Sequence, residues 1–150
     1  MILYSDRDDH YSQRVRIVLA EKDISAEINE AKPEETPEDI LSISPYMKLP
    51  ILVDRDLAIH DPTVMMEYLD ERFPHPPLLP VYPVARANCR TLMLRIDREW
   101  CPMVDDLIIA DKTEKELMKL REELLYEISS IAPTFKEYKF FMNDEFTLVD

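Results

Sequence analysis

The side chains that most often carry catalysis are scarce in this chain of 150 residues, which has three histidines and two cysteines. The spacing of His10, His60 and His75 matches no metal-binding motif, and the sequence holds neither a His-x-x-x-His nor a Cys-x-x-Cys pair. Cys89 and Cys101 both fall in a helical pattern, which favours reduced, buried thiols in a cytoplasmic protein. We therefore expect no metal site and no bound cofactor.

Glycine is absent from the whole sequence, although proteins average about 7% glycine. Neither a P-loop nor a Rossmann phosphate-binding loop can form without it. Turns and helix ends must then use Asn, Asp, Lys or proline-based geometry. Acidic residues are so frequent that no pair of them can be singled out as a general acid and base.

The formal net charge is −13, and acidic side chains outnumber basic ones in both halves of the sequence. Nucleic acids are polyanions, and binding them normally requires a basic protein face. The composition therefore predicts no direct nucleic-acid binding. The acidity fits either a basic protein partner or solubility alone.

The first half of the chain predicts a small α/β domain with the element order β-α-β-α-β-β-α, in which apolar residues alternate in strands and recur every three to four residues in helices. Asp61 and Pro62 are favoured residue types for the N-cap and first position of its last helix. The predicted elements are a strand at residues 2–4, a helix with Ser12 as N-cap, a strand at 24–30, a short helix at 39–42, a hairpin at 49–59 and a helix at 62–73.

The second half predicts helices throughout, with apolar residues at helical spacing over residues 85–108 and 117–131. Pro102 interrupts the first of these stretches, so we expect a kink or a break there. No stretch approaches the roughly 20 apolar residues that span a bilayer. Apolar residues that recur at helical spacing, as in these two stretches, most often form a core or a dimer seam.

Between the two halves lies a stretch that we call the proline segment, residues 73–83, with prolines at 74, 76, 77, 80 and 83. Proline fixes its own φ and restricts the residue before it, so the segment should be extended and stiff. Flanking prolines should also leave the His75 side chain exposed. A held shape here indicates either rigid spacing of two domains or presentation to a partner.

The element order, the proline at the start of the third strand and the helical second half together resemble the glutathione S-transferase fold. The resemblance implies an α/β plus all-α protein, with a thioredoxin-like N-terminal domain at residues 1–74, a connector at 75–84 and a helical C-terminal domain at 85–150. It also implies a cis peptide bond between Leu49 and Pro50.

Residues 11–22, residues 66–73 and the proline segment through Arg86 resemble the stringent starvation protein A family, bacterial transferase-like proteins associated with RNA polymerase. The resemblance implies a cytoplasmic homodimer that binds RNA polymerase holoenzyme with its primary sigma factor and acts in gene expression under starvation or stress. The implied partner-binding residues are Phe73, Pro74, His75, Pro76, Pro77 and Tyr82. The residues implied for the dimer seam or its neighbouring core are Met65, Met66, Leu92 and Met93.

The positions that would bind glutathione in a transferase argue against catalysis; they are Asp9, Leu49, Pro50, Asp61, Pro62 and Thr63. The resemblance places Asp9 where thiol-type relatives carry Cys, and a carboxylate forms no mixed disulfide. Pro62 replaces the Ser of an acid–Ser pair and has neither hydroxyl nor N–H, although Thr63 could substitute in part. We expect Tyr4 and Ser12, the other hydroxyls near this site, to have structural roles.

These positions predict that the protein is not an enzyme. Two alternatives to a polymerase-binding regulator are a transferase-like enzyme with weak residual glutathione binding and an interaction module that pairs with another transferase-like subunit.

The final residues, 147–150, read as a Thr-x-x-Asp box of the kind that begins a helix. In the resembled family this box opens the central helix of the second domain. We therefore expect the C-terminal part of a typical family member to be absent from this chain, which would leave apolar helix faces incompletely covered.

Overall fold

The computed structural model describes residues 1–108, 112–141 and 143–150. The chain forms two compact units, Met1–Pro77 and Leu78–Asp150. The division falls inside the connector predicted at residues 75–84. Within the described ranges, no helix is both long and apolar enough to cross a membrane.

The first unit is a four-stranded mixed sheet with helices, the thioredoxin-like arrangement. The sheet order is β2-β1-β3-β4, with β1 and β2 parallel and the other pairs antiparallel. Its elements are β1 (Ile2–Ser5), α1 (His10–Glu21), β2 (Glu27–Glu30), a 3₁₀ turn (Pro33–Glu35), α2 (Glu38–Leu41), β3 (Ile51–Asp54), β4 (Leu57–Ile59) and α3 (Pro62–Arg72). The predicted β-α-β-α-β-β-α order is confirmed.

Both faces of the sheet carry buried side chains, because β1 and β3 occupy its centre. Leu41, Leu49 and Ile51 form one cluster, against which Tyr4 packs. Strand alternation puts Leu3, which is fully buried, on the opposite face from Tyr4. Helices α1 and α3 pack against each other, and their apolar stripes contribute the buried residues Val15, Val18, Leu19, Met65, Met66 and Leu69.

Helix α1 begins before the predicted position, and strand β2 begins after its predicted position. The N-cap of α1 is Asp9 rather than Ser12, since the Asp9 carboxylate accepts the Ser12 N–H at 2.6 Å. At the other end, the Ile24 N–H donates to the Leu19 carbonyl oxygen at 2.9 Å, and the Asp23 N–H donates to that of Ala20 at 3.1 Å. Because Ile24 belongs to this helix end, β2 begins at Glu27 rather than at residue 24.

Three residues take the left-handed backbone conformation that glycine usually provides. They are Asp23 (φ 51°), Met47 (φ 52°) and Arg55 (φ 57°). Asp23 follows Lys22, the C-cap of α1, and Arg55 lies in the turn between β3 and β4. Each such position costs a residue other than glycine on the order of 1 kcal/mol, so the chain meets its turns at some expense in stability.

The second unit is helical, with α4 (Pro83–Arg95), a π-helical turn (Ile96–Trp100), α5 (Cys101–Ile108), α6 (Glu114–Ile131) and a 3₁₀ turn (Ala132–Lys136). The π-helical turn lies just before Pro102. Proline has no N–H to donate, and in a regular α-helix its ring clashes with the carbonyl group four residues earlier. The turn changes the hydrogen-bond pairing before Pro102, because the Cys101 N–H donates to the carbonyl oxygen of Ile96, five residues earlier. Pro102 itself lies inside α5, so the kink or break expected at this residue stays a prediction.

Helix α6 starts with a capping box in which Thr113 and Glu116 exchange hydrogen bonds. None of its residues is fully buried, and Met118, Leu125, Tyr126 and Ile128 are exposed. The Thr-x-x-Asp box at the end of the chain forms a turn: the Asp150 carboxylate accepts the N–H groups of Phe141 at 2.6 Å and Thr147 at 2.8 Å.

One hydrogen bond in the first unit joins the end of β3 to the middle of α3. The Tyr68 hydroxyl donates to the Asp54 carboxylate at 2.7 Å, and the Arg72 guanidinium lies 3.6 Å from the same carboxylate. The hydrogen bond is the largest influence lowering the pKa of Asp54, and the Arg72 charge adds to it against the opposing effect of burial. The same bond raises the pKa of Tyr68.

Tyr68→Phe should therefore lower the free energy of unfolding of the chain at pH 7 by roughly 1–2 kcal/mol, because an ionised carboxylate loses its donor. A lowered folded-state pKa stabilises the fold above the unfolded pKa, near 3.8, and this contribution is lost as pH falls through the folded pKa. The difference between the two proteins in urea unfolding should accordingly shrink below pH 3.8. Tyr46→Phe, at an exposed position, is the control and should change nothing; a Tyr68→Phe difference that stays constant with pH would contradict the assignment.

Candidate functional site

The loop between β1 and α1 holds the position where a transferase would activate a thiol. Asp9 lies at the N-terminus of α1, and its carboxylate is bonded to the Ser12 N–H. The Arg16 guanidinium closes the loop by donating to the carbonyl oxygens of Asp6 at 2.8 Å and Arg7 at 3.0 Å, and to the Ser5 hydroxyl. Asp9 is therefore a helix cap in a closed loop.

The side chains of Ser12 and Tyr4, which carry the other hydroxyls considered near this loop, have contacts within the first unit. Ser12 is fully buried, and its hydroxyl oxygen accepts the Asp6 N–H at 3.2 Å. Tyr4 is half-buried and packs against the cluster of Leu41, Leu49 and Ile51. That neither hydroxyl is catalytic stays a prediction.

The remaining glutathione-site positions lie at the start of β3 and the start of α3. Leu49 and Pro50 are buried and joined by a cis peptide bond, as the resemblance implied. Asp61 is the N-cap of α3: its carboxylate accepts the Val64 N–H at 2.9 Å and its carbonyl oxygen accepts the Met65 N–H at 2.9 Å. Pro62 is the first helical residue, and Thr63 follows it.

The chain's own carboxylates lie at both helix starts, where an anionic ligand would otherwise bind. A helix N-terminus attracts carboxylates through its free N–H groups and its dipole. In α1 and α3 the chain's own carboxylates, Asp9 and Asp61, accept one of those N–H groups, and Pro62 removes another. Both carboxylates would also repel the carboxylates of glutathione.

The first-unit part of the proline segment, residues 73–77, is called the proline strip below. Pro74, His75, Pro76 and Pro77 are exposed, as predicted for His75, and Phe73 is half-buried. The Phe73 N–H ends α3 by donating to the Leu69 carbonyl oxygen at 3.0 Å, and the Arg72 guanidinium lies 5.7 Å from the Phe73 ring centroid. A second cis peptide bond, which the sequence did not predict, joins His75 to Pro76.

Sequence reasoning missed the residue that binds the proline strip from inside the first unit. It assigned no role to Lys22. The Lys22 side chain is fully buried, and its ammonium donates to the Asp70 carboxylate at 2.7 Å and to the Pro76 carbonyl oxygen at 2.6 Å. The signal available in the sequence was a lysine on the apolar face of one predicted helix and an aspartate on that of another.

Tyr82, the remaining predicted partner-binding residue, lies in the second unit. It precedes Pro83 as the N-cap of α4 and makes no capping hydrogen bond with its side chain. Tyr82 is 79% exposed, and its neighbours Val81 and Val84 are exposed to a similar degree. These three side chains form an exposed apolar group on that unit.

The four residues predicted for a dimer seam or its neighbouring core are buried or half-buried within the single chain. Met65, Met66 and Met93 are buried and Leu92 is half-buried. Their burial fits the core alternative, and the seam itself stays a prediction. In the residues for which the structure gives positions, no group of three or more His, Cys, Asp or Glu side chains is arranged to hold a metal ion.

If Asp9 serves as a helix cap, its replacements should follow capping preference rather than acidity. Asp9→Ala should lower the free energy of unfolding by about 1 kcal/mol, because the Ser12 N–H loses its acceptor. Asp9→Ser should retain most of that stability, since Ser is a favoured N-cap although it has no charge. Urea unfolding at pH 7 measures both; equal losses in the two variants would show that the charge, not the cap, matters.

Comparisons with known proteins agree with this fold and extend it. Residues 3–77 match the family described as the glutathione S-transferase, N-terminal domain. A glutathione S-transferase structure from Rhodospirillum rubrum has a TM-score of 0.83 at 26% identity, covering 99% of this chain and 72% of that one.

Two sequence relatives are similar over the full length of the chain. The stringent starvation protein A homolog of Coxiella burnetii is 51% identical over 100% of this chain and 71% of its own length. That of Pasteurella multocida is 50% identical over 100% of this chain and 70% of its own. With a transferase-like fold and this level of identity, the chain belongs to the stringent starvation protein A family.

Proposed function

We propose that the protein is an RNA polymerase-associated transcription regulator of the stringent starvation protein A type and that it contacts the polymerase holoenzyme and its primary sigma factor through the proline strip. The observation that carries this proposal is the 51% identity, across the whole chain, to a stringent starvation protein A homolog. The family resemblance supplies the polymerase and the role in gene expression under stress.

The exposed side chains of the proline strip support its role as the contact. His75 is exposed between two prolines, and its imidazole ring can donate, accept and stack. Exposed prolines have little backbone freedom to lose, so a partner that binds them pays a small entropic cost. Tyr82, on the second unit, is a second proposed contact because a large exposed aromatic side chain is typical of binding surfaces.

The charge of the chain supports a protein partner rather than nucleic acid. A net charge of −13 disfavours DNA and favours a basic protein surface. We propose accordingly that the chain acts at the polymerase, in the cytoplasm, without direct DNA binding. We further propose a homodimer, with Met65, Met66, Leu92 and Met93 in its seam or in the core beside it.

We also propose that the chain does not transfer glutathione, because Asp9 and Asp61 cap the helices at which glutathione would bind and Pro62 offers no N–H. The second candidate function is a transferase-like enzyme with weak residual glutathione binding. The match of residues 3–77 to the glutathione S-transferase N-terminal domain favours it.

Pro74→Ala combined with His75→Ala should reduce retention of purified polymerase holoenzyme on the immobilised protein at least about tenfold, because two exposed side chains of the proposed contact are truncated. A pull-down at fixed salt measures the retention. Circular dichroism and thermal melting should match the wild type, since both residues are exposed. A folded double variant that binds polymerase as the wild type does would refute the contact.

The matched control is Pro45→Ala combined with Tyr46→Ala, which truncates an exposed proline and an exposed aromatic residue elsewhere on the first unit. It should bind polymerase like the wild type. A glutathione resin tests the second candidate in parallel: retention of the wild-type chain that free glutathione reverses would favour the transferase-like enzyme over the regulator.

A further inference from the structure

Lys22 lies at the C-terminal end of α1, where its backbone caps the helix and its side chain turns into the first unit. The ammonium is fully buried and lies 2.7 Å from Asp70 Oδ1 on α3 and 2.6 Å from the Pro76 carbonyl oxygen. A buried ammonium is tolerated only with a counter-charge and good acceptors. Asp70 supplies the charge, and Pro76 supplies a second acceptor.

The bond to Pro76 is important because the proline strip has few donors of its own. Pro74, Pro76 and Pro77 have no N–H, so the strip cannot be fixed by a ladder of backbone donors. The Phe73 N–H is used to end α3. A donor from outside the strip can fix it through its carbonyl groups, and Lys22 donates to the carbonyl oxygen of Pro76.

The hydrogen bond from Lys22 to the Pro76 carbonyl oxygen should affect His75 most. Pro76 follows His75 directly, and Phe73 on the other side is held by its bond to Leu69. His75 is thus confined between two fixed points, the end of α3 and the carbonyl group of Pro76. Its ring is exposed while the backbone on both sides is tied to the first unit.

We propose that Lys22 is the positioning residue of the proline strip: its ammonium, neutralised by Asp70, holds the Pro76 carbonyl group and so fixes the direction in which His75 is presented to a partner. The effect on partner binding rests on the proposed function. The effect on the order of the strip does not.

Lys22→Met combined with Asp70→Asn tests this assignment. Met keeps the unbranched side chain without the ammonium, and Asn prevents an uncompensated buried carboxylate, so the pair should fold where a single substitution would not. The net charge of the chain is unchanged. The matched control is Arg95→Met with Glu127→Gln, which removes the ion pairs of Arg95 with Glu127 (2.8 Å) and Glu99 (2.7 Å) in the second unit, also without change in net charge.

Two readouts separate the inference from the proposed function. The first is the backbone order parameter of His75 from ¹⁵N relaxation, which should fall from about 0.85, a rigid backbone, to below about 0.6 in the Lys22→Met/Asp70→Asn variant. Phe73, held by its own hydrogen bond, should keep its value. The second is affinity for polymerase holoenzyme, which should fall about tenfold if the competent arrangement becomes populated about a tenth of the time.

Each outcome decides a separate point. An unchanged His75 order parameter in a folded variant overturns the assignment, whatever the polymerase does. A lowered order parameter with unchanged polymerase affinity overturns the effect on binding while the anchor stands. If the wild type fails to bind polymerase, the proposed function fails and the relaxation data alone decide the role of Lys22; the control variant should match the wild type in both readouts.

Discussion

The buried ammonium of Lys22 is the group that ties the proline strip to the rest of the first unit. It joins the end of α1, the last turns of α3 and the proline strip, three parts that are distant in the sequence. Its desolvation is costly, so its two acceptors must stay in place for the fold to remain stable. Because the buried ammonium needs the Pro76 carbonyl group as an acceptor, it also holds the backbone next to His75. The prolines of this stretch have no N–H groups with which to hold that backbone themselves.

The helix starts of the same unit are governed by a related constraint, because each unpaired N–H group needs an acceptor. In α1 and α3 the acceptors are Asp9 and Asp61. A transferase uses these two places for a reactive thiol or hydroxyl and for a bound carboxylate, whereas here the chain's own carboxylates lie there. The transferase-like fold is kept, and the chain's own carboxylates cap the two helices at these places.

The parts of the fold that depend on neighbouring residues could be predicted from the sequence. Asp61 and Pro62 begin α3 as their residue types indicate, and the strand and helix periodicities give the element order. Ser12 was wrong as an N-cap because its hydroxyl accepts the Asp6 N–H inside a loop that Arg16 closes. No pattern among neighbouring residues predicts that Arg16 closes this loop.

Lys22 could not be placed from the sequence because its partners lie far away, 48 residues on at Asp70 and 54 at Pro76. A pattern of apolar spacing identifies the face of a helix but not the atoms that meet across it. The partner-binding residues were a different case: they came from the family resemblance, and the structure adds that His75 and Tyr82 are exposed.

Hydroxyl-radical footprinting of the chain with and without bound RNA polymerase holoenzyme tests the central claim most directly, since it reports side-chain exposure residue by residue. The account predicts that oxidation of Phe73 and His75 falls on binding, while that of Tyr46 and Met47, exposed elsewhere on the first unit, stays unchanged. Protection of Tyr46 and Met47 with His75 oxidised as in the free chain would contradict it.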